Sequence, residues 1–161
     1  MNVLLDEHKS FVVELIRANV EFILVGGYAV IFHGYGRTTG DLDIWLKPAN
    51  ETKERLLMVL AAHGILDEDL EQLKRKDFTK SLAFHIDEPP RRIDFLTRIS
   101  GLTYEEADKT KVFFFLGEYR VPVINYDHLI ANKMASGRTK DKADVEELEN
   151  IMKLRKKPGK D

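Results

Sequence analysis

Helical periodicity at both ends of the chain, short apolar runs of strand length between them, and glycine- or proline-marked joins predict an α+β domain. Leu4 to Ala18 reads as the first helix, because Leu4, Leu5, Phe11, Val12, Leu15 and Ile16 can share one broad apolar stripe, and Asn19 marks its stop. Phe22-Ile23-Leu24-Val25 reads as a buried strand, Gly26-Gly27 as a turn, and residues 27 to 34 as a short helix. In Asp41-Leu42-Asp43-Ile44-Trp45-Leu46 carboxylates alternate with apolar residues, the pattern of a second strand. Pro48 and Asn50 mark a turn, after which Glu51 to His63 continues as a helix buried through Leu56, Leu57, Val59 and Leu60 and ended by Gly64.

Residues 67 to 80 alternate charge around Leu70, Leu73 and Phe78 and read as a solvated helix over the domain. Ser81 to Ile86 and Arg91 to Leu96 are expected to pair as strands joined around Pro89-Pro90. Val112 to Leu116 and Tyr119 to Val123 flank Gly117-Glu118, a two-residue hairpin turn with glycine first, and Pro122 is expected on an edge or at a strand end. Two helices close the chain: Tyr126 to Ser136, stopped by Gly137, and Asp141 to about Arg155, with Val145, Leu148, Ile151 and Met152 on its inner face. Residues 1–155 are thus expected to form one domain and 156–161 a flexible basic tail.

With 161 residues, 43% of them hydrophobic, the chain can enclose one sizeable core. A net charge of −2 gives no bulk basic field for non-specific nucleic-acid binding. The absence of cysteine removes disulfide scaffolding and thiol catalysis. Asp6 and Glu7 stand where a secretory signal would be basic and apolar, and the longest apolar stretch, near residues 22 to 32, is too short to span a bilayer. The expectation is a cytoplasmic protein without a membrane partner.

The chemistry concentrates between residues 26 and 46. On a strand, Asp41 and Asp43 point to the same face, roughly 6 to 7 Å apart. Neighbouring carboxylates in an apolar setting repel, and each is driven towards its protonated form unless a cation shares the site. Hard oxygen ligands favour Mg²⁺, with Mn²⁺ also suited, and Mg²⁺ is usually held by one or two carboxylates together with substrate phosphates. The Gly26-Gly27 turn, lacking Cβ atoms, lets a phosphate approach the backbone at the helix start. An Asp-x-Asp pair alone is most often solvated surface; the glycine turn beside it is what points to a site.

Gly26-Gly27, a helix, then Arg37-x-Thr39-x-Asp41-x-Asp43 resembles the opening motif of the nucleotidyltransferase superfamily related to DNA polymerase beta, and within it the small prokaryotic branch of aminoglycoside nucleotidyltransferases and abortive-infection-type toxins. The resemblance implies a third carboxylate on a later strand, which Asp94 in Ile93-Asp94-Phe95-Leu96 supplies, preceded by Arg91 and Arg92. It also implies a lysine on a later helix, matched by Lys133, followed by a basic-then-acidic element, matched by Arg138-Thr139-Lys140-Asp141 and extending to Asp144. Asp141 or Thr139 can equally be the cap of a helix start. Two departures are visible: Gly27 replaces the serine many members carry, and the gap from the glycines to Asp41 is longer than in the minimal members paired with partner proteins.

The fold implied by the resemblance is a mixed, mostly antiparallel sheet with helices packed on it and a short helical C-terminal part. The implied activity is transfer of a nucleoside monophosphate from a nucleoside triphosphate to an acceptor hydroxyl, with release of pyrophosphate. Asp41, Asp43 and Asp94 would be the catalytic residues and would hold two Mg²⁺ ions; Gly26, Gly27, Arg37, Thr39, Lys133, Lys140 and Asp141 would contact the nucleotide. The acceptor is left open among a small molecule, a tRNA and a protein, as is the oligomeric state. The competing expectations are an inactive nucleotide- or partner-binding module of antitoxin type and a toxin-like enzyme modifying tRNA or protein.

Overall fold

The computed structural model describes residues 4–36 and 40–156. The described chain runs α1 (Asp6–Arg17), β1 (Phe22–Val25), α2 (Gly26–Phe32), β2 (Leu42–Leu46), α3 (Asn50–His63), α4 (Asp67–Lys74), β3 (Ala83–Ile86), β4 (Ile93–Leu96), α5 (Tyr104–Thr110), β5 (Val112–Leu116), β6 (Tyr119–Val123), α6 (Tyr126–Ser136) and α7 (Thr139–Arg155). The six strands form one sheet in the order β3-β4-β2-β1-β6-β5. Pairs β1·β2, β3·β4 and β5·β6 are antiparallel, whereas β1·β6 and β2·β4 are parallel. The architecture is therefore α+β with a mixed sheet. Among the described residues, no helix is long and apolar enough to cross a membrane.

The core follows from alternation and from helix stripes. Phe11, Val12 and Leu15 of α1, all of β1, and Leu56 and Leu60 of α3 are buried with Leu42 and Ile44 of β2 and Ile93 and Phe95 of β4. Phe95 stacks on Phe84 at 5.0 Å and meets Phe11 edge-on at 5.9 Å, tying α1 to the sheet. Gly64 ends α3 in the left-handed conformation and Gly137 ends α6 in the same way, at the two positions anticipated as stops.

Three expectations change. The charged segment from residue 67 is helical only to Lys74, because Lys53 Nζ donates to the carbonyls of Lys74 and Lys76 and Asn50 Oδ1 accepts from Phe78 N–H, turning the chain so that Phe78 is fully buried. A further helix, α5, stands where none was expected. It is started by a capping box in which Thr103 Oγ1 accepts from Glu106 N–H and the Glu106 carboxylate accepts from Thr103 N–H. The expectation for Pro122 narrows: β6 is an interior strand, which excludes the edge, and Pro122 stands near its end, at the last position but one. This is tolerated because the parallel ladder between β6 and β1 is registered only at Leu24 and Val123, so the missing N–H costs no ladder bond there.

Candidate functional site

Strand register assembles the acidic residues. Asp43 on β2 and Asp94 on β4 are direct partners in the parallel ladder, and Asp43 is at the same time the partner of Val25, the last residue of β1. Leu42, Ile44, Ile93 and Phe95 all turn into the core, so the alternating residues Asp43, Trp45 and Asp94 present themselves to the other face. Neighbouring strands are about 4.8 Å apart, which brings the two carboxylates within reach of one cation. Asp41, Asp43 and Asp94 line one cleft of about 820 Å³ together with Gly26, Gly27, Lys133, Lys140 and Asp141. Arg37 and Thr39 lie outside the described residues.

The electrostatics of Asp43 are those of a group waiting for a counter-charge. Burial, and after it the charges of Asp94 and Asp41, push its pKa up from 3.8 to about 6, while Lys133 and a hydrogen bond from the Gly27 backbone N–H pull the other way. Gly26, with φ +69°, opens α2 directly against this carboxylate: a Cβ there would stand 2.1 Å from Asp43 Oδ2. The glycine pair thus lies in the first turn of the helix rather than before it, and one of its N–H groups serves the aspartate.

Asp94 is answered from just ahead of its strand. Arg92, two residues earlier and therefore on the same face, donates Nη2 to Asp94 Oδ1 at 3.0 Å and Nε to both carboxylate oxygens at 3.2 Å. Among the described residues no three His, Cys, Asp or Glu side chains are grouped so that they could hold a metal ion by themselves. The donor set nonetheless suits Mg²⁺ or Mn²⁺, since such ions take one or two carboxylates and complete their shell with phosphate oxygens and water.

The C-terminal helices carry a different kind of cluster. Lys133 of α6 is buried, and its Nζ donates to Asp141 Oδ1 at 2.9 Å and approaches Asp144 Oδ2 at 3.1 Å, both on α7. Asp141 also accepts from Ser136 Oγ and, at 2.7 Å, from Arg138 Nε. Burial alone would raise the Asp141 pKa, but these three donors overcome it and hold the group down at about 2. Asp141 does not cap α7, whose N-cap is Arg138, and neither does Thr139, its first residue. Lys133 therefore enters the cleft wall with its charge already matched. Lys140 is exposed at the rim.

Sequence reasoning alone assigns no separate role to Arg92, Ser136 or Arg138. The i, i+2 spacing of Arg92 and Asp94 on a strand was the signal that could have paired them. Two imidazoles outside the cleft, His8 buried and His33 half-buried, are packing residues with polar ends. His8 Nε2 meets the Arg91 carbonyl at 3.2 Å, and His33 Nε2 meets the Ile124 carbonyl at 2.8 Å. No protein-family model matches this chain, and no curated protein matches it significantly.

Proposed function

We propose that the chain is a divalent-metal-dependent nucleotidyltransferase of the polymerase-beta-like fold, acting on a nucleoside triphosphate and an acceptor hydroxyl. The observation that carries this reading is the ladder pairing of Asp43 with Asp94 beside the Gly26 turn, which leaves Asp43 with a pKa of about 6 in a cleft shared with Asp41. A structural ion cluster would be neutralised from within, as the Lys133 cluster is; Asp43, by contrast, makes no ion pair with any described residue.

Asp41, Asp43 and Asp94 would hold Mg²⁺ or Mn²⁺, which supplies charge neutralisation to the polyphosphate and the acceptor oxygen. Gly26 has no Cβ to collide with the Asp43 carboxylate, which therefore packs against the opening turn of α2, where the triphosphate would be met. Lys140 and Arg138 at the rim of the cleft offset the charge that builds on the leaving group. Asp94, once Arg92 has turned from it, takes the proton of the acceptor hydroxyl. The acceptor oxygen bonds to the α-phosphorus in line as the bond to the bridging oxygen breaks, and pyrophosphate departs.

Incubation of the purified chain with α-labelled triphosphates, Mg²⁺ and acceptor mixtures tests this. Labelled product is expected from the wild type, with Asp43→Ala lowering the rate by about three orders of magnitude. Full activity in Asp43→Ala would falsify the assignment. A second reading, a nucleotide-binding module without chemistry, draws on the Arg92 clamp that ties up Asp94. It predicts triphosphate binding by calorimetry and no product with any acceptor.

A further inference from the structure

A second cavity, of about 520 Å³, adjoins the carboxylate cleft and shares Arg98 and Ile99 with it as a common wall. It lies on the same face of the sheet, one alternation further along: Trp45 follows Asp43 on β2 and is the ladder partner of Leu96, as Asp43 is of Asp94. Two residues of strand carry it about 6 to 7 Å from the carboxylates, towards the C-terminal ends of β2 and β4. The Gly26 turn is at the opposite end, beside the start of β2. The wall is fixed in place. Thr97 Oγ1 donates to the Lys80 carbonyl and accepts from Leu82 N–H, and Asn132 Nδ2 donates to the Ser100 carbonyl.

We propose that this second cavity is the acceptor subsite, and that it takes an anionic acceptor: a negatively charged group attached to an apolar body of small-molecule size. The acceptor role rests on the transferase reading; the anion site does not. In-line displacement puts the incoming oxygen opposite the departing pyrophosphate. With the polyphosphate at the glycine turn and Lys140, the acceptor would arrive from the Arg98 side, where the two cavities share their lining. Its charge is set by the lining. Lys80 and Arg98 are the cations, and Arg98 makes no hydrogen bond or ion pair with any other described residue. Glu106 is the single carboxylate, and it is engaged by Thr103 N–H and Oγ1. A polycation would meet two positive charges with nothing free to answer it. The apolar part would rest on Ile99, Leu102 and Trp45. Trp45 Nε1 is, among the described residues, the buried side-chain nitrogen or oxygen that has no hydrogen-bond partner.

Trp45 is the sole tryptophan, so its emission reports on this cavity. The wild-type chain is titrated, without metal or triphosphate and at constant ionic strength, with phenyl phosphate and separately with the aminoglycoside kanamycin. Phenyl phosphate is expected to give a saturable change and kanamycin none. Arg98→Ala should weaken phenyl phosphate at least tenfold, Arg98→Lys should retain it within threefold, and Lys140→Ala, across the cleft, should leave it within threefold, with circular dichroism confirming the fold of each. No saturable response to phenyl phosphate, a saturable response to kanamycin, an unchanged Arg98→Ala, or loss in Lys140→Ala overturns the proposal. Intact binding with no nucleotidyl product under any condition would sink the transferase reading and leave the anion site standing.

Discussion

Two acidic clusters face the same cleft and are held in opposite electrostatic states. At the sheet, Asp43 stands beside Asp94 and Asp41, with its proton affinity raised to a pKa of about 6. At the helices, Asp141 and Asp144 close on Lys133, and Asp141 is held at about 2 by Ser136, Arg138 and Lys133. The same residue type thus serves two purposes. One cluster is complete within the fold and fastens α6 to α7; in the other, Arg92 pairs with Asp94 while Asp43 makes no ion pair with a described residue. Perturbed carboxylates mark functional candidates only when the perturbation remains unanswered by the protein itself.

The sharpest way to break this contrast is Lys133→Met, which removes the buried cation from between Asp141 and Asp144. Unfolding by urea should show a loss of about 3 to 5 kcal/mol at neutral pH; a loss under 1 kcal/mol would mean that the helical cluster is not a structural fastener. The sheet cluster should do the reverse. Because the folded-state pKa of Asp43 lies above its ordinary value of 3.8, the metal-free fold binds that proton more tightly than the unfolded chain does. Stability should therefore fall as pH rises from about 4 to about 6, by about 2 to 3 kcal/mol, and then level. Asp43→Asn should abolish this limb and raise neutral-pH stability in the absence of metal, and millimolar Mn²⁺ should restore stability to the wild type alone. A wild-type profile flat between pH 4 and 7 would contradict the raised pKa.

The smallest expected effect is on the acid side. Asp141 is depressed, so its contribution is present above the ordinary carboxylate range and lost as pH falls from about 4 to about 2, for about 2 kcal/mol. Asp141→Asn should remove that limb without altering the one near pH 5. If both limbs disappear together, the two clusters are one coupled unit.

The site was legible where chemistry and secondary structure shared a period. Asp41 and Asp43 show their common face in the sequence, and the glycine pair announces a close approach, realised as Gly26 against Asp43. Gly64 and Gly137 mark helix ends that the fold keeps. The Thr103-x-x-Glu106 box was equally visible and points to α5, but its helix is only seven residues long and offers little periodicity. What could not be read was partner choice across elements. Nothing in Lys133 alone says that two aspartates on the next helix will take its charge, since that depends on the angle at Gly137. The position of the second cavity depends likewise on the parallel ladder of β2 with β4.

That ladder also separates the geometry of the cleft from the length of the chain joining its halves. Asp43 and Asp94 are aligned by adjacent strands, so the α3, α4 and β3 segment between them acts as an excursion whose ends are pinned. Extra residues in its exposed bends would add only a slowly growing closure entropy and leave the carboxylates where they are. A single residue inserted inside β4 before Asp94 would instead turn that side chain to the far surface. Length variation should be tolerated in the excursion and forbidden in the strand.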